Sequence, residues 1–411
     1  MESQGGELVS SEAAALRLLA WCQERNWAGW DPYDALNSQL FQALPFLDAK
    51  WPRLVLTQAL KRAPINLRPL LQVTPSQNPK ALGLFLKAAL KLGALGLIEH
   101  KGICEELANR IAQLRSPENS RWCWGYSFAW QTRTRCVPRG AANLVCTTFV
   151  AESLLDYHEA TGDALSLSMA LSAAKYITED LFWTKNGAAA FGYPYPESRV
   201  PVHNANFLAA ALLARLRAYS TDFVEVALQA ARYSAGRQQP DGSWVYGEAE
   251  NWRSIDNFHT GFNLCALGRI GEYLETNEFE PALKRGYEFY LSRFFEVDGA
   301  PKYFHDRALP FDVHSAAQSV ITLVQLGELG PESNSLVLKV LGWTLENLGD
   351  PQGFFYYQKR SWGRIRIPYM RWGQAWMLLA LATFIESRTG NRKPGAVEEH
   401  KTSIELSGAL R

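Results

Sequence analysis

A 411-residue chain with net charge +1, 47% hydrophobic and 20% charged residues, reads as a soluble globular protein with a substantial core. The near-neutral balance offers no basic surface for nucleic acid or an anionic membrane. Six scattered cysteines (Cys22, Cys104, Cys123, Cys136, Cys146 and Cys265) lie mostly in apolar segments and read as reduced core thiols rather than a disulfide framework.

The first residues, MESQGGELVSSEAAALRLLAWCQERN, are acidic, with no basic start followed by an apolar run, so no signal peptide is expected. Every long apolar stretch is interrupted by Lys, Arg or Glu, so no membrane span is expected and a cytoplasmic location follows. Residues 11–75 read as several short helices broken by Pro45, Pro52, Pro64 and Pro69. Within them GWDPYDALNS (29–38) is turn-rich and aromatic, a piece that plugs or lines a face.

From Pro79 the pattern becomes regular. Helix 81–95 pairs with 104–114, 147–161 with 165–180, 204–219 with 222–236, 257–275 with 278–294 and 313–328 with 334–347, and a last helix covers 371–388. First members such as NFLAAALLARL and GFNLCALGRI are apolar all round, which marks buried helices. Second members such as PALKRGYEFYLSRFF are one-sided and belong at the surface. Six inner and six outer helices in alternation describe an all-α fold, an (α/α)6 toroid with short β-hairpin-like loops at one mouth. Residues 1–78 are expected to form an N-terminal helical segment packed on a toroid of 79–390, with a disordered tail at 391–411.

A unit recurring about every 55 to 60 residues underlies this pattern. Each copy carries an aromatic, glycine-flanked turn: WCWGY, AFGYPY, GSWVYGE, GAPKYF and GFFYY, with tyrosines at Tyr126, Tyr193, Tyr246, Tyr303 and Tyr356. These long loops are where function is expected. Trp122, Trp124, Trp130, Trp244 and Trp252 on the loops are candidates to stack on pyranose rings.

A polar cluster precedes each inner helix: NLVCTT, then PVHNAN (His203, Asn204, Asn206), SIDNFHT (Asp256, Asn257, His259), PFDVHSAAQ (Asp312, His314, Gln318) and YMRWGQ (Tyr369, Arg371, Gln374). Asp256, Asp312 and Asn204 are suitable helix caps, but the convergence of the clusters at one mouth points to a site. An unperturbed imidazole titrates near neutrality, so His259 and His314 suit acid/base work. Asp256 and Asp312 could instead meet as a hydrolytic carboxylate pair. No HExxH or closely spaced cysteine pair is present, and no metal or other cofactor is expected. The fifth loop brings Lys359, Arg360, Arg364, Arg366 and Arg371 beside Tyr356, Tyr357 and Tyr369. Such cations suit an anionic ligand and offer the tyrosines a route to lowered pKa values.

Two resemblances follow from these residues. RQQPDGSWVYGEAENWRSIDNFHTGFNLCALGRI resembles a repeat of the terpene cyclase and protein prenyltransferase toroids, with His259 in a context like that of a zinc-binding histidine. DPYDALNS, WGYSFAWQ, HNAN and RWGQAWMLLAL together look like toroid proteins of bacterial exopolysaccharide gene clusters. Those are similar to the six-hairpin glycosidase-like superfamily and to the C-terminal domain of glucuronyl C5-epimerase. The second resemblance implies tyrosines and arginines near the last inner helix exchanging the C5 proton of a uronate, here Tyr356, Tyr357, Tyr369, Arg366 and Arg371.

The reading is a carbohydrate-active protein of polysaccharide biosynthesis or modification, acting on a uronate-containing glycan by C5 proton abstraction, as an epimerase or lyase. Arg371 and Arg366 would neutralise the carboxylate, with Tyr357 or Tyr369 on one face of the sugar and His259 or His314 on the other. Gln374, His203, Asn204, Asn206, Tyr126, Trp124, Tyr193, Tyr246 and Trp252 would bind substrate. The expected partners are an anionic oligo- or polysaccharide and the polysaccharide-synthesis machinery. The alternatives are a glycoside hydrolase using Asp256 and Asp312, a non-catalytic glycan- or partner-binding toroid, and an isoprenoid enzyme.

Overall fold

Helix α1 (Glu2–Glu24) opens the chain and is followed by a one-turn α2 (Gln39–Gln42) and by α3 (Lys50–Arg62). The computed structural model describes residues 2–132 and 135–389; the expected tail lies outside them. Six helices then form a closed inner ring: α4 (Pro79–Ala94), α6 (Leu144–Thr161), α8 (His203–Arg215), α10 (Asn257–Tyr273), α12 (Val313–Gln325) and α14 (Ala375–Arg388). Each packs on the next, and α14 packs on α4 to close the circle. Outside them lie α5 (Lys101–Gln113), α7 (Ala164–Lys175), α9 (Val224–Ala235), α11 (Glu280–Arg293) and α13 (Ser333–Leu348), each against the inner helix before it.

The composition of the two rings explains their places. Every residue of α8 is buried, as its all-round apolar sequence demands. In α11 burial falls on Ala282, Leu283, Gly286, Tyr287, Phe289 and Tyr290, a stripe at helical spacing with polar residues opposite.

The sixth outer position is filled from the other end of the chain. Residues 1–78 are expected as a segment packed on the toroid, and α1 packs along α14. The repeat's turn glycines make the equivalence visible. Gly242, Gly299 and Gly353 all have φ near +90°, a conformation that favours glycine. A Cβ on Gly242 would lie 2.4 Å from the backbone of Arg285 on α11, and one on Gly299 2.8 Å from that of Lys339 on α13. At Gly353 the neighbour is Arg17 of α1, at 3.1 Å from its backbone. Each loop therefore leans on the next outer helix, and after α13 the next one is α1.

The long outer-to-inner connections gather at one end of the ring, the mouth. They carry hairpins β1 (Trp130–Gln131) with β2 (Cys136–Val137) and β3 (Phe182–Lys185) with β4 (Ala188–Phe191). The last two loops join into one antiparallel sheet in the order β5 (Lys302–Phe304), β6 (Arg307–Asp312), β7 (Gln358–Arg360), β8 (Gly363–Ile365). Asn78, Asn143, Asp256 and Asp312 cap α4, α6, α10 and α12, accepting from the backbone N–H groups of Lys80, Cys146, His259 and His314. The mouth is thus the end at which the inner helices present their N-termini. Among the described residues no helix is long and apolar enough to cross a membrane, and all six cysteines are free thiols.

Candidate active site

The aromatic turns do two different jobs. Their tryptophans are structural pins: the indole of Trp124 donates to the carbonyl of Ile111 (2.8 Å) and that of Trp244 to Ser234 (2.9 Å), each at the end of its outer helix. Both are fully buried, so neither is a platform for a sugar. Trp252 is half-buried, with its ring 6.0 Å from that of Tyr246. The tyrosines turn inward. Tyr126, Tyr193, Tyr246 and Tyr303 remain partly exposed at the mouth, and the groups acting on them include one another, Tyr33, Cys146, Arg371, Asp31, Asp256 and Asp312.

In the fifth loop the inward phenol is Tyr357, whose ring meets Tyr369 edge-on at 4.9 Å. Tyr356 turns out and donates to Asp350 (2.6 Å). A sixth tyrosine, Tyr33, comes from the DPYDALNS segment; its hydroxyl accepts from Lys61 Nζ (2.6 Å). Nearby cations do not lower these groups as expected. Burial pushes Tyr126, Tyr246, Tyr303, Tyr357 and Tyr369 above the ordinary phenol value, so they stand as neutral donors at pH 7.

Two sequence candidates form one device. Asp256 Oδ1 accepts from the His259 backbone N–H (3.0 Å), and its Oδ2 lies 2.7 Å from His259 Nδ1. The helix cap therefore fixes the imidazole, with Nδ1–H donating and Nε2 left to accept a proton. Asp256 is 5% exposed and the His259 side chain 24% exposed, so the carboxylate is sheltered while its imidazole faces the mouth. The ring of Tyr246 lies 4.7 Å from that of His259. A carboxylate-oriented imidazole beside a neutral phenol is equipped for proton transfer. Among the described residues no three His, Cys, Asp or Glu side chains cluster as a metal site would need.

Arg371 also reaches the mouth, its guanidinium 4.9 Å above the Tyr126 ring. It is not an unpaired clamp, because it donates to both oxygens of Asp31 (2.6 and 2.9 Å). Close by, Arg68 donates to Asp34 (2.6 Å), to the Tyr369 hydroxyl (2.9 Å) and to the Asp31 carbonyl (2.8 Å). Sequence reasoning missed Asp31, Tyr33, Asp34 and Arg68. The signal was present: two carboxylates and a tyrosine in four residues of a segment read as lining a face.

The remaining candidates are not brought into the site. Arg366 is exposed and lies over Tyr356, so the run of cations in the fifth loop does not converge. Lys359 donates to Asn347 and Arg360 to Gln358. Gln374 is buried and bonded twice to the Phe355 backbone. His203 contacts Ser234 Oγ at 3.2 Å, and burial pushes its pKa down to about 4. Asn206 serves Phe191, Ala189 and Ser234. Asn204 is buried with its carbonyl oxygen unpaired.

Asp312 is fully buried and accepts from Gln358 Nε2 (2.6 Å), Trp372 Nε1 (3.0 Å) and the His314 N–H (2.8 Å). Burial raises its pKa to about 6. Three donors thus enclose its carboxylate. His314 is packed between the rings of Phe258 (4.5 Å) and Trp376 (4.7 Å).

No family model matches the sequence, and no curated protein matches it either. Solved structures do. The chain is similar to an unsaturated glucuronyl hydrolase specific for heparin, with TM-score 0.60 and 12% identity over 95% of this chain and 100% of that one. It is similar also to the GH76 α-mannanase of Bacteroides thetaiotaomicron, with TM-score 0.59 and 11% identity over 78% and 89%. The cellobiose 2-epimerase of Spirochaeta thermophila gives TM-score 0.57 and 14% identity over 76% and 88%. The fold is the (α/α)6 toroid that these structures share. At these identities the likeness concerns the fold alone.

Proposed function

We propose that the protein is a carbohydrate-modifying enzyme whose mouth carries out acid–base chemistry on a sugar, with His259 as the base. The observation that carries this reading is the His259–Asp256 pair, held by a helix cap and opening on a tyrosine-lined mouth. The fold's occurrence in a glucuronyl hydrolase, an α-mannanase and a cellobiose 2-epimerase supports sugar as the substrate class. The finer reading is proton abstraction at C5 of a uronate in an anionic glycan. His259 Nε2 takes the C5 proton and the electron pair moves into the carboxylate as an enediolate. Tyr246, still protonated at neutral pH, donates a hydrogen bond to the oxyanion. Return of a proton to the opposite face inverts C5; departure of the 4-O substituent instead leaves a 4,5-double bond. Paired-carboxylate hydrolysis draws less support, since Asp312 is enclosed and Asp256 is committed to His259.

Uronate oligosaccharides incubated with the protein in D2O are expected to gain deuterium at C5. His259→Ala is expected to slow the exchange by about 10²- to 10⁴-fold. Asp256→Asn should lower it too, by releasing the imidazole from its tautomer. Absence of exchange across uronates and reducing disaccharides alike would overturn the reading.

A further inference from the structure

Below the tyrosines, the first turns of α4, α10, α12 and α14 form a floor of Lys80, Phe258, His314 and Trp376. Lys80 is 3% exposed, with Nζ 4.0 Å from the centroid of Phe149, 5.2 Å from Trp376 and 5.6 Å from Phe262. No carboxylate stands within ion-pair distance of it among the described residues; Asp31, which acts on it from further off, is bonded twice to Arg371. His314 is 2% exposed, and neither of its ring nitrogens has a hydrogen-bond partner. Among the described residues, then, neither buried base has a carboxylate in contact with its ionisable nitrogens. Both sit at the positive ends of inner helices, which disfavours their charged forms further.

We propose that Lys80 and His314 form a carboxylate-binding floor of the mouth, which takes up protons as a sugar acid enters. This deepens the proposed function and rests on it. Burial disfavours the charged form of both groups, helped by Arg371 beside each and by His259 beside His314. The other titratable neighbour of Lys80, Cys146, is a thiol that burial pushes up to about 12, so it supplies no anion. An entering carboxylate brings the missing countercharge, and charging the two bases then becomes favourable. The floor also answers a difficulty at Arg371, whose charge is already spent on Asp31. Negative charge that builds on the carboxylate as C5 loses its proton needs a cation that is not internally paired, and Lys80 is one.

The test is calorimetric titration of the whole protein with a glucuronate-terminated disaccharide, its neutral glucose counterpart and glucose 6-phosphate. Each is run in two buffers of different ionisation enthalpy. The acid is expected to bind with net proton uptake, and its affinity to fall by up to about tenfold per pH unit for each proton taken up. The neutral sugar should show neither effect. Lys80→Met and His314→Phe should weaken the acid at least tenfold more than the neutral sugar and reduce the uptake. Equal binding of acid and neutral sugar without proton uptake would overturn the proposal, as would preference for the phosphate. Trapping of an adduct on Lys80 by cyanoborohydride would overturn it as well, since the amine would then be a nucleophile. The two readings fail separately. Acid binding with proton uptake but no deuterium exchange leaves the floor standing and removes the reaction; exchange on neutral reducing sugars alone does the reverse.

Discussion

The two ends of the inner ring are built from the same six helices and treat charge in opposite ways. At the end away from the mouth, a cavity of about 70 Å³ is lined by Lys87, Glu152, Arg269, Gln318 and Gln325. Glu152 Oε2 there meets Arg215 (3.2 Å), Arg269 (3.3 Å) and Lys87 (3.6 Å). Asp156 meets Lys87 (2.9 Å) and Arg215 (2.6 Å). Burial alone would raise both carboxyls, but the surrounding cations outweigh it and hold both below the usual range. Phe149, Phe262 and Trp376 line that cavity and also face Lys80 from below, so a layer of rings divides the two ends. Above it, among the described residues, no carboxylate stands within ion-pair distance of Lys80, and neither ring nitrogen of His314 has a hydrogen-bond partner. Charges matched within the protein tie α4, α6, α8 and α10 together; bases left unmatched mark the end at which a ligand is awaited.

The largest effect should come from breaking the matched end. Glu152→Ala leaves Arg215 and Arg269 buried without their shared carboxylate and is expected to cost about 3–5 kcal/mol of stability. Urea unfolding reads this directly. The folded-state pKa of Glu152 is depressed, so its contribution is fully present above the ordinary value of 4.5. It is lost as pH falls through the lower folded value, and the gap between variant and parent should close there. Sugar binding by the folded protein should be unchanged.

At the unmatched end the same operation should have the opposite sign. Lys80→Met removes an amine whose charged form burial disfavours, and thermal unfolding is expected to rise by about 2–4 °C. Lys80 has a lowered folded pKa, so the unfolded chain binds the extra proton and the lysine costs stability below 10.5. The gain from methionine is therefore largest at low pH and shrinks as pH rises toward 10.5. A stability loss at neutral pH would show Lys80 to be a structural cation, and the contrast between the two ends would collapse.

Much of the ring was legible in the sequence, because helices apolar all round and helices apolar on one side differ in pattern. The aromatic turns located the mouth as well, because glycine beside aromatic residues is a local signal. What sequence could not supply was direction. Asp256 and Asp312 are equally good caps, yet one holds an imidazole at the surface while the other is enclosed by Gln358 and Trp372. The five cations of the fifth loop look like one cluster, but a hairpin sends alternate side chains to opposite faces. Pairings across 340 residues, such as Asp31 with Arg371, have no local trace at all. Lys80 was hidden by its type, since a lysine on a helix is ordinarily a surface residue.

The smallest contrast lies between adjacent tyrosines. Tyr356 donates to Asp350 at the outside, whereas the buried hydroxyl of Tyr357 has no partner. Tyr356→Phe should therefore cost stability, about 0.5–1 kcal/mol for one partly exposed hydrogen bond, and leave sugar binding alone. Tyr357→Phe removes a group that already lacks its bond, so stability should hold or rise slightly. If that hydroxyl is reserved for a ligand, as Lys80 and His314 are, its loss should weaken sugar binding by about tenfold, or 1.4 kcal/mol. Paired unfolding and binding measurements on the two variants decide it. Unchanged binding in Tyr357→Phe would confine the ligand-facing set to the bases of the floor and to His259.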